Sequence, residues 1–370
     1  MRIAFLVNSF PPPTTGGAGR IATLQVELLR EAGHDVAVFQ PDMSWTTMPM
    51  LIRALRHCID LIPNQDLVRQ VLAFDPDVLV THNLTGVGFA TPKSIKSTES
   101  TESIKSVKSI KSVKSIKSIK WVHVLHDVQL FEPSGQLKDA TRISLWQRLW
   151  SMLRRRSLGK PDLVISPTAW LLEEHRRRGL FLDAHAVVLP NPGPEASFAL
   201  RMPGVPIQLL YVGRVSDEKG AAILEHLSRT LGAEAKITII GTGPASERLR
   251  THPNVRCVGH QEPAHVLEAM RGADVLLVPS QIVENQPTVI LEAAAVGLPV
   301  IASNIGGIRE TLAGAGRLVE PSHPEGWTQA VQDLSESDTY RDAAAAMFDV
   351  ARRYQPETYR NQFLALISNR

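Results

Sequence analysis

Short, uninterrupted apolar runs alternate with helically periodic stretches along almost the whole of this 370-residue chain, and the alternation starts afresh once. In the first series, residues 2–8 make an apolar run of strand length. Residues 23–32 then place Leu24, Leu28 and Leu29 on one helical face before Gly33, and strand-like runs follow at 36–40, 77–82, 121–126 and 163–166. Apolar runs without polar alternation have to be covered on both faces, which a parallel sheet flanked by helices provides. A Pro- and Gly-rich stretch at 189–206 precedes the second series, with strands expected at 207–212, 236–240, 255–258, 275–279 and 300–302 and helices at 221–231, 264–271 and 287–296. The length exceeds one ordinary domain. The expected class is therefore α/β, with two doubly wound, Rossmann-like domains, 1–190 and 191–355, facing a central cleft at the carboxyl ends of their strands. Residues 356–370 read as a helix with Tyr359, Phe363 and Leu366 on one side, which periodicity assigns to neither half.

One tract breaks the first series. Residues 93–120 repeat Ser-Ile/Val-Lys every three positions, a period that suits neither strand nor helix, and read as a low-complexity, solvated insertion. With eight lysines against Glu99 and Glu102, the tract also sets the sign of the charge: the chain carries +3, the residues outside the tract −3. A basic balance of that origin does not indicate nucleic acid, and no nucleic-acid partner is expected. Hydrophobic residues at 44% and charged residues at 21% supply a core and exclude a disordered chain. Cys58 and Cys257 are too few for a disulfide framework, residues 1–13 do not read as a signal-peptide apolar stretch, so no secretory leader is expected, and no apolar stretch reaches membrane length. The expected location is the cytoplasm.

Chemistry concentrates in three stretches of the second series. In 279–303 an apolar strand ends, a loop carries Glu284, Pro287 suits the first helical position, and the helix runs through Glu292 to a stop at Gly297. Eight residues at helical rise separate the two glutamates by at most ~12 Å, which suits two grips on one extended ligand. The first-turn amides near Thr288 and Val289 offer an anion site between them. In 211–220 a strand runs into Gly213 and Arg214, and Lys219 opens the next helix. Cations at the carboxyl end of such a strand point into the cleft, where an arginine fork and a lysine point charge can hold phosphate oxygens. In 239–244 a strand enters Gly241-Thr242-Gly243, a turn that lets backbone approach a nucleotide closely.

Together these residues resemble the retaining glycosyltransferases of family 4, glycosyl transferases group 1, which have the GT-B fold. Glu284 and Glu292 match the family's E-x7-E motif, whose first glutamate contacts the donor sugar and whose second contacts the ribose. Arg214 and Lys219 match the G-R-x(4)-K-G pattern that binds the donor diphosphate, and Gly241 and Gly243 match the G-x-G-P turn near the nucleoside. Pro287, Thr288 and Val289 supply the helix tip. Gly16 and Gly17 resemble the glycine loop after the first strand, and His126 of the LHD sequence resembles the histidine beside the transferred sugar. PNP at 190–192 resembles the linker into the second domain. The usual Gly-Phe after the first motif glutamate is Asn285-Gln286 here, and the often acidic position two residues after Gly17 is Gly19. The resemblance implies a metal-independent, retaining hexosyltransferase without a cofactor. It would take a nucleotide sugar donor and a glycan or lipid-linked acceptor, in cell-surface polysaccharide or glycolipid synthesis.

Rival readings are weaker. GAGRIA at 17–22 has the letters of a dinucleotide fingerprint, but prolines separate it from the first strand where a tight turn is needed. DPD at 75–77 has the letters of a metal-binding D-x-D and reads better as a solvated turn at a strand start. His123 and His126, three apart on a strand, would face opposite sides and not share a zinc. The segment 142–160 is apolar at Leu145, Trp146, Leu149, Trp150 and Leu153 among arginines. It is expected to turn that stripe to the core, with peripheral membrane contact as the alternative. A nucleotide-sugar epimerase on the same fold and a non-catalytic sugar-nucleotide binder remain open, whereas a glycoside hydrolase has no use for a diphosphate clamp.

Overall fold

The computed structural model describes residues 1–8, 10, 17–41, 60–97, 118–137, 139–198 and 201–368. Two units form: residues 1–136, 141–189 and 360–370, and residues 137–140 and 190–359.

The first unit runs β1 (Arg2–Leu6), α1 (Gly17–Glu31), β2 (Asp35–Phe39), α2 (Gln65–Phe74), β3 (Val78–Thr81), α3 (Thr91–Ser97), β4 (Lys120–Val124), α4 (Leu145–Leu158), β5 (Leu163–Ser166), α5 (Ala169–Arg177) and β6 (His185–Val188). All six strands are parallel, in the order β2-β1-β3-β4-β5-β6. Four consecutive β1 residues, Ile3 to Leu6, are fully buried, as a central strand covered on both faces requires. Helix α1 begins six residues before the expected start. Its buried stripe is Ile21, Ala22, Val26 and Leu29, with Gln25, polar yet fully buried, among them. The Asn64 side chain caps α2 by accepting from the amides of Asp66 and Leu67 at 3.1 and 3.2 Å. The DPD letters are structural: Asp75 closes α2 in a left-handed conformation, and Asp77 accepts from the Arg2 amide at 2.7 Å, tying β3 to β1.

Two expectations in this unit are corrected. The lysine tract is not solvated from its first residue, because its start is α3, where Ile95 is fully buried, and its end enters β4. Residues 98–117 of the tract lie outside the described residues, as do Gly16 and Cys58. Helix α4 does not turn its whole apolar stripe to the core. It buries Gln147, Trp150, Ser151, Arg154 and Leu158, while Leu145, Trp146, Leu149 and Met152 are exposed. The Arg154 guanidinium lies 3.5 Å from the Phe89 ring and 4.3 Å from that of Trp150, so aromatic faces take the place of aliphatic packing there.

The second unit runs β7 (Ile207–Val212), a 3-10 turn (Asp217–Lys219), α6 (Ala221–Leu231), β8 (Ala235–Ile240), α7 (Ser246–Arg250), β9 (Val255–Gly259), α8 (Pro263–Gly272), β10 (Val275–Val278), α9 (Thr288–Ala295), β11 (Val300–Ser303), α10 (Ile308–Leu312), β12 (Arg317–Val319), α11 (Pro324–Asp333) and α12 (Ser337–Arg353). Its six strands are also parallel, in the order β12-β11-β10-β7-β8-β9. Alternate side chains build a core on each face. Leu209, Tyr211, Ile237, Ile239 and Ile301 pack with α6 and Trp327, while Leu210, Leu276, Val278, Val300 and Ala302 pack with α8, α9 and α12. The last helix, α13 (Pro356–Ser368), ends on the first unit, where Lys120 Nζ donates to the Leu366 carbonyl at 2.7 Å and Arg360 pairs with Glu31 at 3.5 Å. Its buried face is Tyr359, Phe363 and Ile367 rather than Leu366. Among the described residues no helix is long and apolar enough to cross a membrane.

Candidate functional site

In the second sheet, β8 and β9 lie on one side of β7, and β10, β11 and β12 on the other. Connections leaving β7 and β10 therefore diverge, and an open crevice forms at their carboxyl ends, where α/β sheets bind ligands. β7 ends at Val212 and is followed by Gly213 and Arg214; β10 ends at Val278 and is followed by the loop that carries Glu284.

Backbone packs tightly behind this edge. A Cβ on Gly241 would land on the carbonyl oxygen of Gly213, and one on Gly243 on that of Val215. Val215 N donates to Thr242 O at 3.0 Å and Ala245 N to Val215 O at 3.1 Å, so the two glycine turns are laced together. Gly220 adopts φ 89° and starts α6 against the Pro279 carbonyl, which leaves no room for a side chain. The expected GT-G turn and the R-x(4)-K-G stretch thus form one backbone framework.

Arg214 projects from it and is exposed, and Glu218 lies within its electrostatic reach. The hydroxyl of Tyr211 donates to the Arg214 carbonyl at 2.6 Å and fixes the arginine's backbone. Burial, with the Glu284 carboxylate nearby, raises the pKa of that phenol. Lys219 sits at the end of the 3-10 turn rather than inside a helix, and its ammonium pairs with Glu284 Oε1. Ser280 Oγ donates to the same oxygen at 2.7 Å. Main-chain bonds hold the glutamate's loop in place: Gly307 N donates to Glu284 O at 2.9 Å and Gln281 N to Glu218 O at 2.8 Å. Gln286, at the position of the Phe in the resembled Gly-Phe, accepts from Asn191 N at 2.8 Å and so ties the loop to the PNP linker.

Pro287 is the residue before α9, not its first helical residue: its ψ of 115° is extended, and the helix starts at Thr288. The Pro287 side chain offers no cap to this end, and the first-turn amides of Thr288 and Val289 are where an anion could be held. Glu292 lies one turn further on, partly exposed. The structure thus brings Arg214, Lys219, Glu284 and the helix tip to the β7/β10 edge. Tyr211 and Ser280 belong to the same set and were missed in the sequence, where a Tyr inside an apolar strand and a Ser after one look like packing and turn residues.

In the first unit, Gly17 begins α1, and His126 lies two residues beyond the end of β4, in a loop rather than on the strand. The Nε2 of His126 is 2.6 Å from Nδ1 of His82, with the rings 4.9 Å apart and nearly parallel, and His123 lines the same small cavity. Phe5 stacks on His82 at 5.6 Å between centroids. The partnership was legible in principle. β3 and β4 are adjacent and parallel, so histidines just past both carboxyl ends converge. Burial brings His126 down to about 4 and lowers His82 well below its usual value, leaving neutral imidazoles at neutral pH. Asn83 Nδ2 donates to Asp127 at 3.2 Å, Gln129 N to Asp127 at 2.8 Å and Thr85 Oγ1 to Gln129 at 2.8 Å. These bonds line a small cavity with His82 and His126 on its wall. Among the described residues no group of three or more His, Cys, Asp or Glu side chains gathers as a metal site.

Two family descriptions match the chain: "Glycosyl transferase 4-like domain" over residues 16–192 and "Glycosyl transferases group 1" over residues 206–337. A phosphatidyl-myo-inositol mannosyltransferase of Mycolicibacterium smegmatis is 26% identical over 358 residues, 92% of this chain and 86% of that protein. Among solved structures, the sucrose-phosphate synthase of Thermosynechococcus elongatus is similar with a TM-score of 0.73 at 17% identity, over 99% of this chain and 98% of that one. The Anabaena protein HepE, solved with UDP-glucose, is similar with a TM-score of 0.66 at 18% identity, over 100% of this chain and 99% of that one.

Proposed function

Because the chain belongs to the group 1, family 4 glycosyltransferases and has their two-domain α/β fold, GT-B, we propose that it is a metal-independent, retaining hexosyltransferase that moves a sugar from a nucleoside diphosphate to an acceptor hydroxyl. The acceptor class we assign is a glycan or lipid-linked glycan of cell-surface polysaccharide or glycolipid synthesis, in keeping with the mannosyltransferase relative. HepE with its UDP-glucose supports a nucleotide sugar as donor.

The observation that carries this reading is the Lys219–Glu284 pair beside the N-terminal tip of α9. Without donor, the ammonium is held by a carboxylate. An arriving diphosphate is a stronger anion and, with Arg214 and the tip amides, takes over the lysine. Glu284 is then free to accept hydrogen bonds from sugar hydroxyls, while Ser280 keeps its carboxylate oriented. Gly241 and Gly243 let backbone close on the nucleoside, and Glu292 takes the ribose. In the transfer step the bond from the anomeric carbon to the diphosphate oxygen breaks as the acceptor oxygen bonds to that carbon from the same face. The acceptor's proton passes to the departing diphosphate. Negative charge grows on that leaving group, so Arg214, Lys219 and the Thr288/Val289 amides do their largest work in the transition state, with no metal required. His126, neutral and partnered by His82, is assigned to hydroxyls of the transferred sugar.

The test is a thermal-shift screen of nucleoside diphosphates and their sugars in chelator, followed by assay with the donor that binds. A ligand at 100 times its dissociation constant stabilises by ~2.7 kcal/mol. We expect one nucleoside diphosphate to raise the melting temperature, its sugar to be transferred in chelator, and NMR of the product to show the donor's anomeric configuration. No shift with any nucleotide overturns the donor site; donor converted without acceptor indicates an epimerase; an inverted anomer removes the retaining assignment.

A further inference from the structure

Helix α4 carries a surface that the transfer reaction does not use. Leu145, Trp146, Leu149 and Met152 are 84, 57, 45 and 37% exposed, while the helix buries Gln147, Ser151 and Arg154. Spacings of four and three put Leu145, Leu149 and Met152 on one stripe, with Trp146 beside it. The stripe thus points away from the sheet. The Trp146 indole stacks on Trp150 at 5.7 Å between centroids, 23° from parallel, which holds a large amphipathic ring at the surface without burying it.

The charge around this stripe has one sign. Between residues 141 and 160 there are six basic residues and no acidic one. Arg154 is the one turned inward; Arg142, Arg148, Arg155, Arg156 and Lys160 are exposed. Arg148 and Arg155, seven apart, flank the stripe along one side, and Arg142 and Arg156 stand near its two ends.

We propose that α4 is a membrane-contact helix, lying in the plane of an anionic bilayer surface with Leu145, Trp146, Leu149 and Met152 in the headgroup layer and the arginines on lipid phosphates. An exposed apolar stripe with tryptophan, bordered by arginine, fits the boundary between water and acyl chains. Lipid charge complements the arginines. A second copy of the chain does not: Lys160 pairs with Asp183 at 3.3 Å, but stripe against stripe still sets four exposed arginines against their equals, with no acid in the segment to offset them. The assignment is independent of donor chemistry, because it concerns where the enzyme sits rather than what it transfers.

Co-sedimentation of the full chain with vesicles tests it, comparing phosphatidylcholine alone with phosphatidylcholine mixed with phosphatidylglycerol. The protein is expected to pellet with the anionic vesicles only, and less as salt is raised. Trp146→Ser with Leu149→Ser should lower the partition about ten- to a hundred-fold through lost apolar burial. Arg148→Gln and Arg156→Gln should each lower it about five-fold. All these side chains are exposed, so the variants should melt as the parent does, and residues 98–117 are unaltered in each, so their lysines contribute equally throughout. Failure of the parent to bind anionic vesicles overturns the proposal, as does equal binding to both lipids. Full binding by the Trp146/Leu149 variant moves the contact elsewhere. A parent dimer that this variant dissociates, without vesicle binding, assigns the stripe to a second copy instead.

Discussion

The carboxyl edges of the two sheets differ although the sheets match in strand number and direction. In the second unit the edge at β7 and β10 carries Arg214, Lys219, Glu284 and a helix tip, all partly exposed. In the first, the edge at β3 and β4 carries buried His82 with part-exposed Asn83, His126 and Asp127, joined in bonded pairs. The difference is one of charge. The Lys219 ammonium, 32% exposed, is paired with the Glu284 carboxylate, from which a diphosphate would displace it on the proposed reading. Buried imidazoles shed their charge and become neutral donors and acceptors, suited to hydroxyls. On the proposed reading, one edge binds charge and the other contacts hydroxyl groups.

The largest expected effect tests that division directly. Lys219→Ala should lower turnover by about one to three orders of magnitude, or 1.4–4 kcal/mol of transition-state stabilisation. Stability should change by less than about 1 kcal/mol, since the lost ion pair is part-exposed. His126→Ala should lower turnover only about ten-fold, the worth of one or two neutral hydrogen bonds. Steady-state rates with saturating donor, beside melting curves, read both. If His126→Ala costs more than Lys219→Ala, the charge work is not concentrated in the second unit and the comparison fails.

How legible each edge was in the sequence follows from the same contrast. The second unit's edge is built from three short segments, Gly213 to Gly220, Gly241 to Gly243 and Pro279 to Glu292, each legible from its own spacing, although the Lys219–Glu284 pairing across 65 residues is not. Continuous apolar strands likewise made both parallel sheets legible. The first unit's edge depends on residues 44 apart, His82 and His126, which only strand adjacency joins. The start of helix α1 is hidden in the sequence because its first turn is Gly17-Ala18-Gly19, where the glycines are weak helix formers. Helix α4 turns only part of its expected stripe inward, burying Trp150 but not Leu145, Trp146 or Leu149, because composition shows that a helix has an apolar side, not which side faces the sheet; Arg154, held on the Phe89 and Trp150 rings, takes a core position.

The next effect is acid lability of the first unit. Burial holds His123 at about 3 and His126 and His175 at about 4, against 6.5 in the unfolded chain. Between those values the unfolded state binds more protons. The stability linked to neutral imidazoles is complete above pH 6.5 and is lost as pH falls toward 4. One such histidine is worth up to about 3 kcal/mol, and neighbours that share protons contribute less than the sum. Asp127 acts in the opposite sense, because burial raises its carboxyl pKa and favours proton uptake in the folded state. Peptide-level hydrogen exchange from pH 7 to pH 4 should show β3, β4 and α5 opening before β7 and β10. His123→Gln with His175→Gln should flatten that dependence. Opening of the second unit first would break the contrast between a charged edge and a neutral one.

The smallest effect sharpens the picture of how the charged edge is held. Gln286 binds the linker through Asn191 N and lies two residues from Glu284, yet Glu284 has its own supports in Gly307 N, Ser280 and Lys219. Gln286→Ala leaves a buried amide without its acceptor and should destabilise by about 1–2 kcal/mol. Turnover should stay within a few-fold, because the carboxylate and the lysine keep their partners. Melting curves and donor-saturated rates on one preparation separate the two readouts. A rate loss as large as that of Lys219→Ala, at unchanged stability, would place the Gln286 amide on the donor itself and make the departure from the family's Gly-Phe a determinant of which sugar is taken.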